Sequence, residues 1–201
     1  MTRPHPPSTS RKAPFAAATA IILAMTAPEA RAIPSAPKGA GDTVLKDARG
    51  ASVSLAQLVG EHRFTVVVFY SATCPCFAAH VDRLQELAAE LGARGVGFVV
   101  VDSERHTTRE PPPPALVAPA LPLFRDEDGR LAQRLGALYA TETFVVDDRG
   151  NVRYRGGIDS DRTYLRIDAR AYLRDAVVGL LSGKAPAFAN SKALGCALKL
   201  R

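Results

Sequence analysis

The chain has 201 residues, a formal charge of +6 and 47 % hydrophobic residues, enough for one ordinary domain with a core of its own and extensions at its ends. Residues 1–32 carry Arg3, Arg11, Lys12, Arg31 and Glu29, and without them the charge falls to +3. The remaining basic residues alternate with acids, which excludes a nucleic-acid footprint.

The first segment has the form of a secretory signal. A basic start precedes the apolar stretch 15–25, which is too short to span a bilayer as a helix. Ala30-Arg31-Ala32 supplies the small-x-small pattern, so cleavage is expected after Ala32 and the mature protein is expected to be periplasmic or secreted, with no stable membrane span. No cysteine lies near that cut to take a lipid. Residues 33–41 read as a flexible leader, 42–184 as one domain and 185–201 as a tail. Export allows disulfides to persist, and three cysteines cannot all pair within one chain. An odd count suits a reactive site better than a stapled scaffold.

In chain order, Val44–Asp47 and Ser52–Leu55 flank Ala48-Arg49-Gly50 as a hairpin, followed by a short helix over Leu55–Val59. Thr65–Tyr70 is a continuous β-branched and aromatic run, the pattern of a strand buried on both faces. Cys74-Pro75-Cys76 follows at once, and Phe77–Leu91 then takes helical apolar spacing. Pro75 suits a first helical position, which puts Cys74 at the cap and Cys76 in the first turn. Free N–H groups and the helix dipole stabilise a thiolate there, and the thiolate is the reactive form. The plain alternative is a pair of buried structural cysteines.

Val96–Asp102 reads as a second buried strand, which makes a βαβ unit with parallel pairing. Residues 103–122, with four prolines at 111–114, read as an insertion without regular structure. Asp126–Gly129 is a turn before a helix over Arg130–Leu138. Thr143–Asp147 and Asn151–Arg155 form a hairpin around Asp148-Arg149-Gly150, and a long helix is expected over Tyr164–Leu181, ended by Gly183.

With these pieces the region from Asp42 to Gly183 resembles the thioredoxin superfamily, in its exported redoxin-like branch. The resemblance rests on Val66–Tyr70 leading into Ser71-Ala72-Thr73-Cys74-Pro75-Cys76, on Val96–Asp102, on Leu123–Gly129 and on Thr143–Gly156. It implies an α/β fold of three layers, with a central mixed sheet flanked by helices. It also implies a thiol–disulfide site at Cys74 and Cys76 that uses no further cofactor. The implied partners are exported protein thiols or disulfides and a redox partner that recharges the site.

Three departures bear on this. One residue separates the cysteines, not two, and positions i and i+2 of a helix point apart. A Cys74–Cys76 disulfide therefore needs Cys74 outside the helix and would be strained, hence labile and oxidising. Thr141 stands where the family has a proline facing the reactive cysteine, and Thr73 replaces a tryptophan that often precedes the motif.

Cys196 lies in Leu194-Gly195-Cys196-Ala197-Leu198, an apolar patch on the tail that suggests docking, with Cys196 as a resolving thiol or an incidental one. Ser71, three residues before Cys74, matches a peroxiredoxin-like site, although Val67 fills the position of a proline that family needs. That makes peroxide reduction the alternative activity. His80, four residues after Cys76, is read as a polar residue on a half-exposed helix face, or as a third ligand in a copper-binding metallochaperone. Glu142 is read as one half of a cross-strand ion pair, or as a proton mover at the site, and Asp126–Asp128 as a solvated turn. His62 and His106 occur singly in loops and nothing selects them. A redox-dead binding module with this fold is the reading furthest from enzymology.

Overall fold

A computed structural model describes residues 1–2, 40–105 and 121–200. Most of the expected signal segment, most of the leader, the four prolines and His106 lie outside the described residues. Seven strands and four helices occur among the described residues: β1 (Val44–Lys46), β2 (Ser52–Ser54), α1 (Leu55–Gly60), β3 (Phe64–Tyr70), α2 (Pro75–Gly92), β4 (Val96–Asp102), β5 (Leu123–Arg125), α3 (Arg130–Leu135), β6 (Thr143–Asp147), β7 (Val152–Gly156) and α4 (Tyr172–Leu181).

The strands make one mixed sheet in the order β2-β1-β5-β4-β3-β6-β7. β3 and β4 pair in parallel over seven residue pairs, and β6 runs antiparallel on the other side of β3. Every residue of β3 and β4 is buried, as the unbroken apolar runs require. Alternation along each strand divides the core. Val66, Val68, Val100 and Phe98 face one layer, where they meet Phe77, Val81 and Leu84 of α2 and Leu173, Ala176 and Val177 of α4. Val67, Phe69, Val99 and Val101 face the other, where they meet Leu55 and Val59 of α1 and Leu131 and Leu135 of α3. The chain therefore has the expected three-layer thioredoxin-like fold.

Three elements differ from the sequence reading. The long helix expected from Tyr164 starts only at Tyr172. Side chains compete for the backbone before that point: Asp161 accepts the Arg166 N–H and Ser160 Oγ accepts the Arg170 N–H. α3 ends at Leu135 rather than Leu138, because Gly136 turns left-handed (φ 68°) and the Glu142 carboxylate takes the Leu138 and Tyr139 N–H groups. Leu123–Arg125 is a further strand, too short to show periodicity, which pairs in parallel with β4.

The tail after α4 is built into the body. Near Arg155 it runs beside β7, with Arg155 N–H on Ala189 O and Ser191 N–H on Arg155 O, both at 3.0 Å. Ser191 Oγ accepts the Gly157 N–H and meets the Tyr154 hydroxyl at 2.7 Å, while that hydroxyl donates to Gly157 O. Burial raises the Tyr154 pKa and keeps this hydroxyl protonated. A Cβ at Gly156 would fall 2.2 Å from Ser191 Oγ, so only glycine lets the tail lie this close. Further on, Ala140 N–H donates to Cys196 O, Leu198 N–H to Leu138 O and Arg105 N–H to Lys199 O.

Candidate active site

β3, an interior strand, carries the chain to the C-terminal end of its parallel pairing with β4, and four residues, Ser71 to Cys74, separate it from α2. Cys74 is the N-cap of α2, in extended geometry (φ −88°, ψ 108°), and its carbonyl accepts the Ala78 N–H. Pro75 occupies the first helical turn, as expected. Cys74 therefore lies outside the helix and Cys76 inside it, the arrangement under which thiols at i and i+2 can face one another. Both are 2 % exposed.

The tail brings the third thiol. Cys196 donates its N–H to Cys74 Sγ at 3.3 Å, and all three sulfurs lie within 4.8 Å of one another. Leu198 packs against both layers of the core, and Leu194 lines the adjoining cleft. A Cβ at Gly195 would overlap Ala140 O at 1.5 Å, so the residue before Cys196 has to be glycine for this contact. The cleft beside it holds ≈ 560 Å³ and is lined by Tyr139, Glu142, Arg155, Asn190 and Lys192 among others.

The surroundings separate the thiols electrostatically. Burial by itself would push the Cys74 thiol up, but the Cys196 thiol and the N–H groups of Phe77, Cys196 and Cys76 outweigh it and hold Cys74 below the ordinary cysteine value. Cys196 is pushed up to about 12, first because its thiol donates to Cys74, then by burial and by the charges of Cys74 and Cys76. The arrangement sets a sulfur whose pKa is lowered against one whose pKa is raised, with the Cys76 sulfur in reach of both.

Thr141, at the position the family gives to proline, adopts φ 69° and is buried, with its N–H on Phe69 O at 2.9 Å. A left-handed conformation costs a β-branched residue on the order of 1–2 kcal/mol. The strain is held at the point where the 140–141 backbone meets Gly195.

Two sequence readings change here. His80 is buried (2 %), not half-exposed, and its ring faces away from metal duty: Nδ1 lies 2.7 Å from Cys76 O and Nε2 lies 3.1 Å from Asp159 Oδ1. Arg83 and the Asp161 N–H also bond Asp159, and this set holds its carboxyl below the ordinary aspartate value against the opposing effect of burial. The sequence shows His80 and Arg83 one turn apart, but nothing in it points to Asp159, which arrives from the loop after β7. Asp126 is buried, not solvated: it caps α3 through the Leu131 and Ala132 N–H groups and accepts Ser103 Oγ. Glu142 forms the expected ion pair with Arg155, at 2.8 Å.

A family model described as the AhpC/TSA family matches residues 37–155. Among curated proteins none matches. Solved structures do. An uncharacterized conserved protein from Geobacillus kaustophilus is 24 % identical over 79 % of this chain and 88 % of its own, with a TM-score of 0.68. A hypothetical protein from Sinorhizobium meliloti 1021 is 24 % identical over 79 % of this chain and 90 % of its own, with a TM-score of 0.65. The Xanthomonas campestris bacterioferritin comigratory protein, described by its alkyl peroxide reduction activity, is 20 % identical over 76 % of this chain and 96 % of its own, with a TM-score of 0.54. At these identities the likeness establishes the fold.

Proposed function

Because this chain belongs to the AhpC/TSA family, a redoxin family, we propose that it is an exported thiol–disulfide oxidoreductase whose attacking group is Cys74. The observation that carries this reading is the convergence of three sulfurs at a helix start, with the Cys74 pKa lowered and the Cys196 pKa raised by their mutual contact. The Cys74 thiolate attacks one sulfur of a partner disulfide, and the other partner sulfur leaves as a thiolate that takes a proton. Cys196, or Cys76, then attacks Cys74 Sγ, gives up its own proton and expels the partner as a second thiol. The chain is left with one disulfide, and a dithiol partner reduces it again. Cys196 is favoured for the second step because a Cys74–Cys76 bond closes a very small, strained ring.

Cys74 is buried in the reduced arrangement, so a protein disulfide reaches it when the 194–198 segment lifts from Ala140. A peroxide is small enough to need less. Burial of Cys74, Ser71 three residues before it and the family itself therefore support a second reading, peroxide reduction. Disulfide exchange ranks first because the groups that stabilise Cys74 are a thiol and backbone amides, not a cation that would steady a leaving alkoxide.

The deciding experiment measures disulfide reduction and hydroperoxide consumption by the mature protein and by Cys74→Ser. Exchange activity lost in Cys74→Ser, with peroxide turnover slow in both, supports the first reading. Rapid Cys74-dependent peroxide consumption supports the second. Exchange retained in Cys74→Ser overturns the assignment of Cys74. Export is part of the same reading: a mature chain starting at Ile33 outside the cytoplasm is expected, and Met1 or Thr2 at its N-terminus overturns it.

A further inference from the structure

The geometry points to a second use of the same three sulfurs: Cys74, Cys76 and Cys196 form a three-coordinate thiolate site for a soft monovalent cation, Cu(I), distinct from the Cys–Cys–His set that the sequence suggested. Two sulfurs come from the start of α2 and the third from the docked tail, all within 4.8 Å of one another. A metal–sulfur bond of about 2.3 Å places three sulfurs about 4 Å apart around a trigonal ion. The sulfurs therefore need to close by less than about 1 Å, within the reach of cysteine rotamers.

The donor set selects the ion. Soft thiolates favour Cu(I) and zinc. Zinc in a protein site takes four ligands, and among the described residues no histidine, carboxylate or further cysteine joins the three sulfurs. His80 is excluded as a fourth ligand because both its ring nitrogens are engaged, by Cys76 O and by Asp159. A three-sulfur set suits a cation that is content with three donors. The location suits the product as well: Cu(I) with three thiolates is an anionic centre, and it sits at the helix start, where free N–H groups and the dipole offset negative charge. Cys74 and Cys76 are almost fully buried, which keeps water and oxygen away from the ion.

Binding is not a redox step. The ion displaces the thiol protons, which leave to solvent, and no electron is transferred. A disulfide between any two of the three removes the site, so metal loading and disulfide exchange exclude one another on the same protein molecule.

The test is an anaerobic titration of the reduced mature protein with Cu(I), in competition with bathocuproine disulfonate, followed by X-ray absorption at the copper edge. One Cu(I) per chain is expected, with three sulfur neighbours near about 2.3 Å. Cys196→Ser is expected to lower the affinity by more than about tenfold. Serine nearly matches cysteine in size, and position 196 is only partly buried, at the rim of one core layer. The wild-type spectrum tests the same geometry without any variant. Complete loss of copper to the chelator, a two-sulfur spectrum, or an unchanged affinity in Cys196→Ser overturns the proposal. Because the titration needs only reduced thiols, it stands or falls independently of any failure of disulfide exchange.

Discussion

The backbone N–H of Cys196 points at the sulfur of Cys74 from 3.3 Å, across 122 residues of chain. With the Cys196 thiol it stabilises negative charge on Cys74 in addition to the Phe77 and Cys76 amides of the helix start. Neither effect is available to Cys74 on α2 alone.

Replacing Cys196 by alanine removes the thiol donor and keeps the amide. A donor to the thiolate lowers a thiol pKa, so its removal moves the Cys74 titration upward. The midpoint of Cys74 alkylation against pH, followed by peptide mass spectrometry, is expected to rise in Cys196→Ala. An unchanged midpoint shows that the Cys196 thiol does not act on Cys74.

Gly195→Ala tests the docking of the tail. A methyl group there would lie 1.5 Å from Ala140 O, so the 194–198 segment has to move away. Cys196 is expected to react with maleimide several-fold faster than in the reduced wild type, and the Cys74 midpoint is expected to rise as in Cys196→Ala. Equal reactivity in the two proteins contradicts a tightly docked tail.

Asp159→Asn tests the buried network beneath the site. Removing this carboxylate takes the buried anion from His80 and leaves Arg83 only the more distant Asp161 carboxylate at 3.8 Å, at a cost of about 3 kcal/mol at neutral pH. The folded-state value of Asp159 is depressed below the ordinary 3.8. Its contribution is therefore present above that value and lost as pH falls through the depressed one. Urea melts of the two proteins should differ most near neutrality and converge as the pH falls through the depressed folded-state value of Asp159. A constant difference at all pH values assigns the effect to packing rather than charge.

Glu142→Gln separates the two readings of that residue. It holds Arg155 and the Leu138 and Tyr139 amides, so the variant is expected to lose about 1–2 kcal/mol of stability in urea. The pH profile of disulfide exchange is expected to keep its shape, because Glu142 is engaged in the fold. A displaced limb of that profile would make it a proton mover.

The site was legible to different depths. Cys74-Pro75-Cys76 between an unbroken apolar strand and a helix is a local pattern, and strand burial, the proline at the first turn and the Cys74 cap all follow from neighbouring residues. The apolar patch Leu194–Leu198 is the trace of docking in the sequence, whereas the need for glycine at 195 is readable only once Ala140 is known to lie against it. His80 was misjudged because a histidine on a helix looks the same whether its far side meets water or Asp159, 79 residues later. Helix α4 was drawn too long because Tyr164–Arg170 keeps helical spacing while Ser160 and Asp161 take its amides.

By itself, the sequence determined what periodicity and nearest neighbours control: the buried strands β3 and β4, the parallel unit around α2, the β6–β7 hairpin and the position of two thiols at a helix start. Only the tertiary structure decided that a third thiol joins them, which of the Cys74 and Cys196 sulfurs has its pKa lowered and which raised, and which buried charges stand behind the helix. Those outcomes depend on contacts between segments far apart in the chain. Such contacts are set by sheet order, by close approach at Gly156 and Gly195, and by the matching of donors to acceptors across the fold, none of which repeats along the chain with a period that can be read.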